Sequence, residues 1–431
     1  MEQTLFTGLR HLYSTTEDNP NTIRIRMRLR DPVDPDVFRR AVDLTMRRYP
    51  YFCVALQKRD GQYVFADNDR PVVVSDSLEG VTLNSPDAHG HLIAFSYSDD
   101  WLTLDVFHGL TDGTGAYAVL RTLLYYYCAE GYGVTLNPEG IRLVGDVISP
   151  EEWEDPVANR TDLPSPPRSE LSTALNLAKA AGLTQDSRPT AYHVTFSEPA
   201  FMRFVKAHGG SPATMVSLLF CRAVAAFYPE AAEPIRVALC ANQRKALHAP
   251  LAHQSLVGGV MLDYSDDLRG LSLSEQVGIF RQKVSDGTQE EPMLMGVESQ
   301  AAFNRAILAK TEDAERLAVV DAINGITKRV LTATVSYVGK ADFREAEDYI
   351  RYFYAWACAP ACGLLLELSA AGGRFTVDMI QQFSSPVFAR AFADELSARD
   401  IAATVSDGRP LALPKVALPW LKPTDKGSSL C

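Results

Sequence analysis

Hydrophobic and polar residues alternate strictly over residues 22–30, whose sequence is TIRIRMRLR. One set of alternate positions is apolar and holds Ile23, Ile25, Met27 and Leu29. A period of two residues is typical of a strand with one buried face. The sequence therefore predicts a strand with its arginines on a solvated face, answered by acidic neighbours. An anion-binding site formed by these arginines is the alternative.

A helix is predicted directly after this strand. Asp34 is a suitable cap, Pro35 occupies the favoured first helical position, and Pro50 ends the helix. The positions that recur at helical spacing, and should face the core, are Phe38, Ala41, Val42, Thr45, Met46 and Tyr49. Further along this half of the chain, strands are predicted near residues 51–58, 63–66, 91–97 and 101–108, and a buried helix at 113–127.

The character of the chain changes between residues 146 and 189, which are rich in proline, acidic and small polar residues. Such a composition indicates a linker, with a short helix near residues 171–181. Beyond residue 190, strands are predicted at 191–197, 235–241, 256–262, 331–337, 362–368 and 374–380, and helices at 211–228 and 386–399. We therefore predict an α+β protein of two lobes, residues 1–145 and 190–431, joined by the linker 146–189.

Composition narrows the classes of function. The chain of 431 residues is 46% hydrophobic and 22% charged, which is typical of a folded globular protein. Its net charge of −11 gives no basic footprint for nucleic acid. Neither a signal peptide nor a membrane span is expected, which favours a cytoplasmic location. The seven cysteines are scattered and suggest reduced thiols; no metal site is expected.

Candidate chemistry lies at HGLTDG, residues 108–113, between the predicted strand and the buried helix. Histidine suits general-base catalysis because its ordinary pKa is near 6.5. Asp112 would hold the loop by pairing with a cation, and Gly113 would let a ligand pass close to the backbone. The simpler interpretation is a strand, a turn and a helix without chemistry. His248 and His253 are expected in a surface loop; the alternative is that either borders a substrate channel, since both lie close to Arg244 in sequence.

HGLTDG matches the HxxxDG motif, and the chain resembles the superfamily of chloramphenicol acetyltransferase, alcohol acetyltransferases, condensation domains and BAHD acyltransferases. Three further segments are similar in order along the chain: DPDVFRRAVDLTMRRYPYFCVAL, ALCANQRKAL with LVGGV, and VSYVG. The resemblance implies two chloramphenicol-acetyltransferase-like lobes of mixed sheet and helices, which form a pseudo-dimer with a central channel.

The resemblance also implies residue roles. His108 would be the general base, Asp112 structural, and Arg244 its salt-bridge partner, while Gly113 keeps the channel open. Ser336 would lie near the developing oxyanion. The residues expected along the substrate channel are Phe107, Gly109, Asn242 and Tyr337. No bound cofactor or metal is implied; acyl-CoA would be a co-substrate, and a small-molecule alcohol or amine the acceptor.

Some positions depart from the family pattern. Phe107 replaces the first of two histidines of condensation domains, which favours ester formation, and Tyr337 replaces an asparagine, which leaves that position's role open. Gly258-Gly259 stands where a Gly-Asn pair is common. The main hypothesis is an acyl-CoA-dependent O-acyltransferase. The alternatives are an enzyme that takes its acyl group from a carrier protein and a non-catalytic, small-ligand-binding member of the fold. We expect a monomer, since one chain supplies both lobes.

Overall fold

The computed structural model describes residues 2–167 and 171–421 of the chain, and these form sixteen strands and eleven α-helices. The strands are β1 (Glu2–Thr4), β2 (Thr22–Leu29), β3 (Val54–Arg59), β4 (Gln62–Asp67), β5 (Val74–Ser75), β6 (Ile93–Ser98), β7 (Trp101–Phe107), β8 (Thr190–Ser197), β9 (Ile235–Asn242), β10 (Val257–Tyr264), β11 (Ala333–Ser336), β12 (Ile350–Trp356), β13 (Leu364–Ala371), β14 (Arg374–Gln381), β15 (Ala403–Val405) and β16 (Arg409–Pro410). The helices are α1 (Leu9–Tyr13), α2 (Pro35–Arg48), α3 (Gly113–Gly131), α4 (Leu177–Ala180), α5 (Glu198–Ala207), α6 (Pro212–Phe227), α7 (Asp266–Arg269), α8 (Leu273–Gly287), α9 (Glu290–Leu308), α10 (Asp313–Val330) and α11 (Val387–Ser397).

The first lobe is built on a five-stranded sheet with the order β12-β2-β7-β6-β5. The alternating strand is confirmed as β2, and its apolar residues are buried. The prediction that the arginines of this strand lie on a solvated face is wrong for Arg24, whose side chain is only 1% exposed. Its Nε and Nη2 donate to the two carboxylate oxygens of Asp105 on β7, at 2.7 and 2.9 Å. The strand is covered on both sides here, so this arginine needs a buried partner.

Helix α2 begins and ends where the sequence predicts. The Asp34 carboxylate accepts hydrogen bonds from the backbone N–H groups of Asp36 and Val37, and Pro35 occupies the first turn. All six residues predicted to face the core are buried. Helix α3 packs beside α2 over the same core, and together they cover the sheet that ends at the HGLTDG motif.

The second lobe contains a larger sheet with the order β10-β9-β11-β13-β14-β8-β15, and β16 also pairs with β8. Strand β11 runs parallel to both of its neighbours, β9 and β13, whereas the other pairs are antiparallel. Helices α6, α8 and α11 carry apolar residues into one core with this sheet. A third, small sheet, β1-β4-β3, belongs to the first lobe.

Some segments that follow residue 190 in the chain pack in the first lobe. The predicted boundaries, with a linker at residues 146–189 between two sequential lobes, did not include this crossing. Strand β12 lies late in the chain but pairs with β2 in the first lobe's sheet. Val297 on α9 and Val320 on α10 belong to the first lobe's hydrophobic core. The linker itself is held in place, because Glu152 is buried and bonded to both Nη atoms of Arg48 at 3.0 Å.

The helices of the described residues differ from the predictions in one respect and agree with them in another. The linker helix α4 is shorter than predicted and spans four residues. No single described helix is both long and apolar enough to cross a membrane; α5 and α6 meet those criteria only when taken together across an 86° bend.

Candidate active site

The HGLTDG motif forms the turn between β7 and α3. Asp112 is the N-cap of α3, and its Oδ1 accepts the backbone N–H groups of Thr114 and Gly115 at 3.0 and 3.2 Å. These N–H groups belong to the first turn of the helix and have no partner within it. Gly115 adds a steric requirement, because a Cβ there would overlap the Thr111 hydroxyl and lie 2.8 Å from the His253 carbonyl. The turn is therefore defined by backbone and side chain together.

A buried ion pair joins this turn to the second lobe. Arg244 Nη1 and Nη2 donate to Asp112 Oδ2 and Oδ1 at 2.8 and 2.9 Å, and both side chains are at most 4% exposed. The same guanidinium donates to the carbonyls of Ala252 and Gln254, and the Leu256 N–H donates to Asp112. The carboxylate thus has charged and neutral donors on both sides, which offsets the cost of its burial.

His108 is held from two directions. Its backbone N–H donates to the Asn21 carbonyl at 2.8 Å, and its ring Nδ1 lies 3.0 Å from the Thr111 carbonyl. A carbonyl only accepts, so Nδ1 carries the proton and Nε2 is the basic nitrogen of the neutral ring. Burial lowers the His108 pKa, although its backbone hydrogen bonds and the Asp112 charge oppose that effect.

A second histidine, not singled out from the sequence, lies against His108. The rings of His11 and His108 stack with their centroids 4.1 Å apart and 14° between their planes. His11 Nδ1 is 3.3 Å from the Asn21 side-chain oxygen, and its Nε2 is 3.4 Å from the Ser255 hydroxyl. Burial and the nearby His108 lower the His11 pKa well below its ordinary value. His11 is therefore a neutral ring that fixes one face of the candidate base.

His253 corrects another expectation. It is 3% exposed and lies beneath the HGLTDG turn, whereas His248 is exposed as expected. The His253 carbonyl accepts the Thr111 hydroxyl at 2.6 Å, and its Nδ1 lies 2.7 Å from the Glu152 carbonyl. Burial lowers its pKa to about 4. A neutral His253 thus connects the turn to the linker.

His108 faces a cavity of about 1060 Å³ whose wall comes from both lobes. The first lobe contributes His11, His108, Gly113 and Tyr117, among others. The second lobe contributes Cys240, Asn242, Ser336, Tyr337 and Glu367, among others. Cavities of this size and mixed lining are the usual form of a small-molecule site.

Several predicted residues lie in this wall. Gly113 faces Val338, whose Cγ2 would be 2.5 Å from a Cβ at this position. The Asn242 side-chain oxygen accepts the Arg244 backbone N–H at 2.9 Å, and its amide lies 3.4 Å from the Thr114 hydroxyl. The Tyr337 ring packs on Phe375 with centroids 5.8 Å apart. Asn242 therefore links the wall to the loop that holds Arg244.

Phe107 and Gly109 were expected along the channel, but the cavity wall does not include them. The Phe107 side chain points into the first lobe's core and is 0% exposed. Gly109 packs against this ring and against the backbone of Gly8, where a side chain would overlap the Phe107 ring. Both residues support the motif from behind.

Glu367 in the cavity wall was also missed from the sequence. It lies on β13, is 6% exposed, and is the register partner of Ser336 on β11. Its carboxyl group interacts with the Ser336 hydroxyl. Burial is the main cause that raises the Glu367 pKa to about 8, with a smaller contribution from Asp378. A carboxyl that is largely neutral at physiological pH both donates and accepts hydrogen bonds.

Comparisons with known proteins bear on the fold. No family model matches the sequence, and no curated protein matches it. Among solved structures, TRI101 of F. graminearum in complex with coenzyme A and T-2 mycotoxin is 12% identical, with a TM-score of 0.59 over 94% of this chain and 99% of that chain.

Two further solved structures are similar. Polyketide synthase associated protein 5 from Mycobacterium tuberculosis is 14% identical, with a TM-score of 0.57 over 92% of this chain and 96% of that chain. The condensation domain of the Monacolin K polyketide synthase MokA is 12% identical, with a TM-score of 0.56 over 92% and 97%. The chain thus has the two-lobed, chloramphenicol-acetyltransferase-like fold, as the sequence predicted.

Proposed function

We propose that this protein transfers an acyl group from an acyl-CoA thioester to a hydroxyl group, or an amine, of a small molecule, with His108 as the general base. The observation that carries this proposal is the arrangement of His108. Its ring lies in the wall of the cavity between the lobes, and its Nδ1–H is engaged by the Thr111 carbonyl. That arrangement leaves Nε2 as the proton acceptor.

In the proposed reaction, proton transfer to His108 accompanies attack on the thioester. Nε2 of His108 takes the proton of the acceptor hydroxyl as its oxygen attacks the thioester carbonyl. The tetrahedral oxyanion then collapses, the C–S bond breaks, and the imidazolium returns its proton to the departing thiolate. Asp112 has no part in proton transfer, since its oxygens are occupied by Arg244 and by backbone N–H groups. It acts as a positioning residue.

The oxyanion role expected for Ser336 remains a proposal. Ser336 is one of the residues of the cavity wall, which supports this role. Its hydroxyl interacts with the Glu367 carboxyl and with the Cys240 thiol. An oxyanion donor must be directed at the reacting oxygen, so these neighbours compete for the serine proton.

Release of free thiol tests the proposal directly. The purified protein is incubated with acetyl-, butyryl- or palmitoyl-CoA and a mixed pool of alcohols and amines, and products are identified by mass spectrometry. We expect thiol release that depends on an acceptor and yields an acylated product. Binding of an acceptor with no acyl product under any condition would instead indicate a non-catalytic member of the fold.

An acyl group carried by a carrier protein is the alternative donor. The structural likeness to the MokA condensation domain is the reason to test this donor as well. An acyl group on a phosphopantetheinylated carrier protein is therefore offered beside the CoA thioesters. Product formed only from the carrier protein would replace the CoA donor while keeping the role of His108.

The rate should depend on pH in a definite direction. A general base must be neutral, and burial lowers the His108 pKa below its ordinary value of 6.5. With an uncharged alcohol acceptor, kcat/KM should be constant near neutral pH and fall as the pH drops through a midpoint below 6.5. The measurement is kcat/KM against pH at constant ionic strength. A midpoint at or above 6.5 would contradict the assignment of this buried histidine as the base.

A further inference from the structure

A row of polar side chains crosses the second lobe's sheet at the level of the cavity. Glu367 on β13 lies between Ser336 on β11 and Asp378 on β14, each its direct register partner. Asp378 in turn faces His193 on β8. β13 is buried along its whole length, so carboxyl groups at its centre need partners.

The two carboxyl groups of this row differ in their partners. Asp378 forms an ion pair with His193, and the Asp378 charge contributes to a raised His193 pKa. Glu367 has no ion pair with any residue in the part of the chain that the structure describes. Its carboxyl group interacts instead with the neutral hydroxyl of Ser336. Asp378 thus has a cationic partner, His193, whereas Glu367 has none among the described residues.

Glu367 also faces the cavity, together with a second group that lacks a partner. The hydroxyl of Tyr117 on α3 is buried and has no hydrogen-bond partner among the described residues. The Glu367 charge acts on Tyr117, since it contributes to a Tyr117 pKa well above the ordinary value. Ser336, Glu367 and Tyr117 all lie in the cavity wall. We call these three side chains the carboxyl subsite.

A buried carboxylate is stabilised when a cation binds next to it, whereas an uncharged ligand leaves the cost of burial in place. We propose that the carboxyl subsite binds the protonated amine of the acceptor, so that the acceptor is an amino alcohol whose hydroxyl group reaches His108. The ammonium group has three donors, which suits the carboxylate together with the two hydroxyl oxygens. This inference rests on the acyl transfer proposed above and names the substrate class.

Binding of an amine to this subsite should change the number of protons bound to Glu367. Other titratable groups that face it are Asp378, Tyr117 and Cys240; burial raises the pKa of the Cys240 thiol to about 12, so that thiol stays neutral. With a Glu367 pKa of about 8, the empty subsite holds a proton at pH 7. An arriving ammonium group favours the carboxylate, so this proton leaves to solvent. Net proton release, up to about one proton per amine bound, should therefore accompany binding near pH 7.

Calorimetry of binding tests the proposal without turnover. The probes are amino alcohols from ethanolamine to aminohexanol, each beside the diol of equal length, titrated in two buffers of different ionisation enthalpy. We expect proton release with amino alcohols and none with diols. Glu367→Gln should abolish the release and weaken amino alcohol binding about tenfold or more, since an opposite charge is worth about 1–3 pKa units to a carboxyl. Glu233→Gln, at an exposed loop position, is the matched control.

The wild-type protein supplies a second measurement that needs no variant. Amino alcohol affinity should rise with pH up to about 8, where Glu367 loses its own proton. Equal affinity for diols and amino alcohols would overturn the proposal and indicate a neutral hydroxyl-binding site. Unchanged proton release in Glu367→Gln would also overturn it, because a group other than Glu367 would then lose the proton. The wild-type protein also separates the two proposals. Amino alcohol binding with proton release but no acyl transfer from any donor would leave the subsite intact while the proposed enzymatic function fails.

Discussion

Replacing His108 with alanine should lower the rate of acyl transfer by about 10²–10⁴-fold, the usual contribution of a general base. The loss should appear in kcat, because the imidazole acts on the proton of a hydroxyl group that the cavity binds without it. The measurement is thiol release at saturating acceptor for wild type and His108→Ala. Circular dichroism and thermal unfolding confirm that the variant is folded.

His208→Ala is the matched control for this experiment. His208 lies after α5, with its Nδ1 3.0 Å from the Ser274 hydroxyl, and it is not part of the cavity wall. Its replacement should leave kcat unchanged. If thiol release and acylated product were unaffected in His108→Ala, the HGLTDG segment would be a strand, a turn and a helix without chemistry.

Breaking the Asp112–Arg244 pair should destabilise the protein as well as inactivate it. Asp112→Ala leaves a buried guanidinium without its carboxylate, and removal of one partner of a buried pair costs about 3–5 kcal/mol. The loss includes the cap of α3, since the same carboxylate accepts two N–H groups of that helix. The free energy of unfolding from urea titrations measures the effect.

A double-mutant cycle separates the pair from the cap. Arg244→Ala removes the cation but keeps the capping carboxylate, and the double variant removes both. We expect a coupling free energy well outside the error of about 0.5 kcal/mol for independent sites. Asp112→Asn removes the charge but keeps a side-chain oxygen that can cap α3. This variant replaces Asp112→Ala in the cycle if Asp112→Ala does not fold. Additive effects of Asp112→Ala and Arg244→Ala would show that the two side chains are energetically independent.

Local sequence patterns were sufficient to predict those helices and strands whose periodicity and capping residues lie within the element itself. The alternation in β2 and the cap, proline and apolar spacing of α2 predicted both elements, because these features act within a few residues. The segment between residues 265 and 330 gave no prediction, although it contains α8, α9 and α10. Its helices each bury only part of their surface. Helix α8 contributes to the second lobe's core, whereas α9 and α10 contribute to the first lobe's core. Strand β12 was likewise missed.

The candidate site divides in the same way. The sequence singled out His108, Asp112 and Gly113 because their spacing follows the turn between a strand and a helix. His11, His253 and Glu367 carry no such spacing. They contact the site through packing between segments that lie far apart along the chain.

The sequence by itself determined the strand–turn–helix that presents His108, the two-lobed α+β class and the acidic net charge. These depend on local periodicity, capping and composition. Only the tertiary structure decided that His108 has a stacked neighbour, that Arg24 is buried, and that Glu367 faces the cavity without a cation. The reason is physical: burial, the partners of a buried charge and the pKa values that follow depend on which segments pack together, and the pairing of β12 with β2 across more than half the chain leaves no local trace.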